Sequence, residues 1–349
     1  MSELYIKQEL FKALPQIDAL LLDVDGVLLN VDGSFSQVIA SVAQYFATQV
    51  LKLDDTGPIL TTHEVGLFKL AGGFNDDWEL CCAAVALIVA KWARDGGTTQ
   101  TGDNEAIQAN APDTTALRAQ SPSWNEYTNE LKHRRTAVLA TTGLAGAEAL
   151  VLESLTPPQR REFARTWSTR LVTQLCQEMY GGPMCNALYG FEPQHITSGE
   201  HFGLYKTETP LVDVALLNKI HGRVRLGILT GRSETECALA LRVLGLQLDE
   251  EAQLTASSGL KKPDGKSMMA LRDQMAWKSA LYVGDTLDDL RTVQNYREVK
   301  GSGKSRVLSA IVLSGPGGEA GRRTFLEAGA EVVSSDLNLI LQYLDSVLK

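Results

Sequence analysis

Two aspartates, one residue apart, close an apolar run: residues 20–28 read LLLDVDGVL. On a strand, successive side chains alternate, so Asp23 and Asp25 point to one side while Val24 faces the other. Two neighbouring carboxylates repel each other unless a cation or a shared proton lies between them. The apolar residues before the pair and Gly26-Val27-Leu28 after it read as a buried strand that delivers both carboxylates to its carboxyl end. Open α/β sheets place their chemistry there. The bland alternatives for such a pair are a solvated loop or a cation site of no particular kind.

Further segments end in the same manner. Residues 224–232, VRLGILTGR, form an apolar run ending in Thr230 and Gly231, and residues 259–265, GLKKPDG, set a lysine before a proline in a turn. Residues 280–290, ALYVGDTLDDL, form another apolar run ending in Gly284-Asp285, with Asp288 and Asp289 shortly after. In this order the segments resemble the signature motifs of the haloacid dehalogenase-like (HAD) hydrolases, over about residues 17–34 and 206–349 but not between.

The resemblance implies a phosphoryl-accepting nucleophile at Asp23 and a general acid and base at Asp25. It implies a phosphoryl-holding hydroxyl at Thr230 with the amide of Gly231, and a fixed cation at Lys262. A Mg²⁺ ion would be held by Asp23, the backbone carbonyl of Asp25, and Asp285, with Asp289 orienting metal-bound water or holding Lys262. Lys262 is preferred to Lys261 because it directly precedes the proline. The spacing after Gly-Asp favours Asp289, which leaves Asp288 as a solvent-facing residue in a helix's first turn, where negative charge suits the dipole. The second aspartate separates phosphatases and phosphomutases from the dehalogenases of the family, whose halide leaving group needs no acid. The expected activity is a Mg²⁺-dependent phosphatase acting on a small phosphorylated metabolite. A phosphomutase of the β-phosphoglucomutase type is the alternative among enzymes. A retired binding or regulatory protein is the alternative of another class, and the intact set of residues weighs against it.

The elements that must position these residues alternate from residue 210 onward, with short apolar strands between helices, which predicts a parallel sheet with helices on both faces. The first strand joins that sheet from across a long helical stretch. The expected fold is therefore α/β, with a discontinuous Rossmann-like core (1–34 and 206–349) and an inserted α-helical domain (35–205), which the resemblance makes a C1 cap. The N-terminus, MSELYIKQELFKAL, reads as a helix. LCCAAVALIVA (80–90) reads as a buried helix, being too short for a membrane span. PPQRREFARTWSTRLVTQLCQEMY (157–180) reads as one helix, opened by prolines and ended by Gly181-Gly182-Pro183. Residues 96–123 read as a long polar loop.

In KLAGGFNDDWEL (69–80), Lys69, Asn75 and Trp78 are candidate substrate contacts. The competing reading is a helix–helix turn in which Asp76 or Asp77 caps the next helix. Arg232 is a candidate partner for an anionic substrate group, with a surface salt bridge as the alternative. GSGKS (301–305) ends like a phosphate-binding loop, but the first glycine that loop requires falls at Glu298.

The 349 residues suit about two domains. A net charge of −9 argues against nucleic-acid or anionic-membrane partners. Five cysteines with no CxxC pair and no histidine at ligand spacing suit a reducing cytoplasm and suggest neither disulfides nor zinc.

Overall fold

The computed structural model describes residues 3–74, 76–99, 106–107, 113–136, 143–301, 303, 305–315 and 318–348. Its strands are β1 (Leu4–Ile6), β2 (Ala19–Leu22), β3 (Leu29–Asn30), β4 (Thr98–Thr99), β5 (Ala106–Ile107), β6 (Thr209–Pro210), β7 (Arg225–Leu229), β8 (Gln253–Leu254), β9 (Ser279–Gly284), β10 (Arg306–Val312) and β11 (Val332–Ser334). The chain divides into two compact units, one of Met1–Val31 with Glu208–Lys349 and one of Asp32–Thr207.

In the first unit a sheet runs in the order β1-β11-β10-β9-β2-β7-β8. Every neighbouring pair is parallel except β1 with β11. The N-terminal helix expected from the sequence is not formed. Leu4 and Ile6 pack against the core while Tyr5 is exposed, a period-2 pattern that suits an edge strand. The residues after it make only short 3-10 turns, and Pro15 cannot sit inside a longer helix.

Strand β2 lies inside the sheet and is buried throughout. Leu20 and Leu22 join Leu226, Ile228, Leu281 and Val283 in one cluster, whereas Ala19 and Leu21 join Leu229, Ala280 and Tyr282 in another. Both faces are thus covered, as a parallel sheet requires. Each fully buried leucine contributes about 1.5–3 kcal/mol relative to exposure, so β2 is a firm base for the residue that follows it. A short ribbon pairs β3 with β6, Leu29 opposite Pro210 and Asn30 opposite Thr209. The chain thereby leaves this unit and re-enters it on adjacent strands.

The second unit is helical. Its helix Asp77–Arg94 is buried continuously from Leu80 to Ala93, which makes the apolar run a core helix. No described helix is long and apolar enough to cross a membrane. The single helix expected over 157–180 is two, Pro157–Thr166 and Thr169–Gly181. The break falls at Ser168, whose side chain caps the second helix by accepting the Leu171 amide. Within the expected 96–123 loop, β4 pairs with β5 and Asp113 caps a helix at Thr114–Ala119. All five cysteines are buried and free.

Candidate active site

Register brings the candidate residues to one end of the sheet. Leu22 lies level with Ile228 and Val283, so Asp23, Thr230 and Asp285 leave the carboxyl ends of β2, β7 and β9. The Asp23 amide donates to Val283 O at 2.9 Å, and the Thr230 amide donates to Leu254 O at 3.0 Å. The backbones under both side chains are held by the ladder itself.

Lys262 is buried where Lys261 is exposed. Its ammonium donates to Asp23 Oδ2 at 2.5 Å and to Asp289 Oδ1 at 2.7 Å. The other Asp23 oxygen accepts the Val24 amide at 2.8 Å. Burial opposes the charge on Lys262, but Asp23 and Asp289 more than offset it and hold the ammonium pKa above its ordinary value. Burial pushes the Asp23 carboxyl up to about 7; Lys262 pulls against this, while Asp289 and Asp25 add to it.

Asp289 is saturated. Oδ1 also accepts the Tyr282 hydroxyl at 2.6 Å, and Oδ2 accepts the Thr286 hydroxyl at 2.5 Å and the amides of Asp285 and Thr286 at 3.2 and 3.0 Å. Burial opposes its ionisation, but Lys262 and these donors hold its pKa low. Asp289 therefore holds Lys262, the second of the two roles expected for it. Asp288, expected to face solvent, is instead buried, with its carboxylate 3.5 Å from Arg291. The first turn of this helix packs against the sheet, so adjacent aspartates are both covered.

Asp285 lies in a cradle that only glycine leaves open. A Cβ on Gly26 would stand 2.1 Å from Asp285 Oδ2, and one on Gly315 would stand 1.9 Å from it. Gly26 also takes a φ of +71°, which side-chain-bearing residues rarely adopt. Asp23, Asp285 and Asp289 each offer an oxygen within 4.8 Å of the others.

The Arg232 side chain is withdrawn from solvent. Its side chain is 1% exposed, and its guanidinium bridges Asp25 Oδ1 (2.8 and 2.6 Å) and Glu208 (3.1 and 2.9 Å). This corrects the surface salt-bridge reading of Arg232, because its guanidinium is buried between two carboxylates. The Thr230 hydroxyl oxygen accepts the Arg232 amide at 3.2 Å, and Gly231 is partly exposed between them.

In the helical unit, Lys69 pairs with Asp77, so its ammonium is already engaged. Asp76 caps the helix Asp77–Arg94 by accepting the Trp78 and Glu79 amides at 3.0 and 3.3 Å. The capping alternative is thus the local structure at Asp76. Trp78 is half-buried, its ring 5.3 Å from Phe35 and 6.0 Å from Tyr180. Asn75 lies outside the described residues.

No protein-family model matches this sequence, and no curated protein matches it. Solved structures do. A Northeast Structural Genomics Consortium target is 19% identical, with a TM-score of 0.59 over 95% of this chain and 99% of that one. Phosphatase Tt82 from Thermococcus thioreducens is 20% identical, with a TM-score of 0.55 over 94% of this chain and 99% of that one. These likenesses are of fold: the chain shares the fold of both structures. In this fold the carboxyl ends of β2, β7 and β9 converge on the acidic cluster.

The cluster has the chemistry of a divalent-cation site. Its donors are hard carboxylate oxygens, which suit Mg²⁺. Three carboxylates share the one ammonium of Lys262 at this strand end. Asp23, Asp285 and Asp289 are the side chains that could hold such an ion, with Asp289 the most heavily hydrogen-bonded of the three.

Three contributors escaped the sequence reading. Tyr282 steadies Asp289, and Thr286 forms a capping box with it, a pattern visible in Thr286-x-x-Asp289. Glu208 carries no local signal at all; its role comes from a partner 24 residues away.

Proposed function

We propose that the protein is a Mg²⁺-dependent phosphomonoesterase that works through an aspartyl-phosphate on Asp23. The observation that carries this reading is Asp23 at the end of β2, bonded to Lys262 and within 4.8 Å of the Asp285 and Asp289 oxygens. A solvated loop or an ordinary surface pair has no use for a buried carboxylate of raised pKa beside a buried ammonium.

In the proposed reaction an Asp23 oxygen attacks phosphorus, and the bond from phosphorus to the ester oxygen breaks. Asp25 gives its proton to the departing alkoxide and later takes one from the water that attacks the aspartyl-phosphate. That second attack breaks the bond between phosphorus and Asp23, returning the carboxylate and releasing phosphate. Lys262 and the Thr230 hydroxyl hold the non-bridging oxygens as charge moves across them. A Mg²⁺ ion held by Asp23, Asp285 and the Asp25 carbonyl would neutralise part of the phosphoryl charge. We assign the substrate to small phosphorylated metabolites, and the helical unit Asp32–Thr207 to the role of a cap.

The test is phosphate release from a panel of phosphorylated metabolites, with Mg²⁺ and with excess chelator. Release should be stoichiometric with consumption of the best substrate, lost in chelator, and abolished in Asp23→Asn with the fold intact. Undiminished turnover by that variant or in chelator refutes the scheme. Isomerisation of a sugar phosphate outpacing phosphate release would make the protein a mutase instead.

A further inference from the structure

Glu208 and Arg232 form a fully buried ion pair, which Asp25 extends to a triad. The Glu208 and Arg232 side chains are 0% and 1% exposed, while Asp25 is 25% exposed. Two parallel contacts to Glu208 already balance the guanidinium charge. The contact to Asp25 is not needed for compensation, so its consequence lies in what it does to Asp25. Both nitrogens that reach Asp25, Nε at 2.8 Å and a terminal nitrogen at 2.6 Å, fall on Oδ1.

We propose that Arg232, backed by Glu208, is a positioning residue that pins Oδ1 of Asp25 and so fixes the orientation in which Oδ2 meets the departing ester oxygen. Both guanidinium contacts fall on one oxygen and come from a rigid planar fork, so the plane of the Asp25 carboxylate is set by Arg232. Rotation about the Asp25 side chain, which would exchange the oxygens, is opposed by the same fork.

The fork itself stands on fixed backbone. The Arg232 amide donates to Thr230 Oγ1 at 3.2 Å, and its carbonyl accepts the Ala256 amide at 2.9 Å. The next residue, Ser233, caps the helix Glu234–Leu244 in a capping box with Glu236. Glu208 directly precedes β6, which is paired to β3. Lysine in place of arginine would keep one charge but could not hold Asp25 and Glu208 with the same geometry.

This inference rests on the phosphatase reading, and its test separates the two. The measurement is kcat/KM for 4-nitrophenyl phosphate, whose leaving group needs no proton, and for an alkyl phosphate such as glycerol phosphate, whose leaving group does. Arg232→Lys should lose about 10²-fold or more on the alkyl ester, the usual scale of general acid catalysis, and little on the aryl ester. The double variant Arg232→Met/Glu208→Leu removes both buried charges together; it should show the same split and guards against misfolding of the single variant. Equal losses on both esters, or no loss on either, overturn the proposal. Should the unaltered protein hydrolyse neither ester, the phosphatase reading fails. Crystal structures of the double variant then decide the positioning claim: an Asp25 carboxylate that turns away supports it, and one that keeps its orientation overturns it.

Discussion

Asp23 and Asp25 leave one strand end two positions apart, yet each is held by a different cation. Asp23 meets a lysine that it shares with Asp289, and Asp25 meets an arginine that it shares with Glu208. The difference matches the work proposed for each. An ammonium is a compact charge with rotatable donors, which a phosphoryl oxygen can share without breaking a fixed geometry. A guanidinium is a rigid fork that fixes orientation. The proposed nucleophile is thus set beside a charge it can share, and the proposed acid and base beside a charge that aims it.

Breaking the lysine side of this comparison should have the largest effect on stability. Lys262→Met leaves Asp23 and Asp289 buried without their shared cation, and losing one partner of a buried pair costs about 3–5 kcal/mol. Urea unfolding without metal should show that loss. Lys262→Met/Asp289→Asn should cost less than the two single changes together, because the remaining repulsion goes with the second substitution. Strict additivity would mean that Asp289 does not hold Lys262 energetically.

The pH dependence sharpens the same comparison with a smaller effect. The folded Asp23 carboxyl sits at about 7 against an ordinary 3.8, so the folded state binds this proton more tightly than the unfolded chain does. Its contribution to stability is fully present below the ordinary value and is lost as pH rises through about 7. At about 1.4 kcal/mol per pKa unit, the site should weaken the metal-free protein by a few kcal/mol between pH 4 and pH 8. Asp23→Asn should erase that decline, and added Mg²⁺ should stabilise the unaltered protein more at pH 8 than at pH 5, since binding must displace the proton. Parallel stability curves for the variant and the unaltered protein would place the shifted group elsewhere.

What the sequence made legible follows from what is local. Apolar runs ending in Asp23, Thr230 and Asp285 specify strands and their ends, and strand–helix alternation specifies a parallel sheet. The position before proline distinguishes Lys262 from Lys261 through the motif it resembles, and the burial of Lys262 beside an exposed Lys261 agrees with it. Contacts across the chain left no such trace: nothing near Glu208 announces Arg232, and nothing near Arg232 announces its pairing with Asp25 and Glu208. The N-terminal strand escaped because three residues at a sheet edge carry a period too short to outvote the helical pattern beside them. The break at Ser168 escaped because a serine cap inside a long helical pattern reads equally well as a tolerated helix residue.

The smallest expected effect concerns the helical unit and separates two neighbours in one turn. Asp76 accepts two amides at the start of Asp77–Arg94, so Asp76→Ala should cost about 1 kcal/mol of stability, the usual worth of an N-cap. It should leave turnover of every substrate nearly unchanged. Trp78 has no cap to make, and its half-buried ring rests beside Phe35 and Tyr180 with part of its surface open. If that surface meets the non-reacting part of a substrate, Trp78→Ala should lower kcat/KM for the best metabolite about 10-fold while sparing 4-nitrophenyl phosphate, because a minimal ester has no such part to bind. Equal effects on both esters, accompanied by a stability loss like that of Asp76→Ala, would make the segment a structural turn throughout. Specificity would then have to come from other residues of the helical unit.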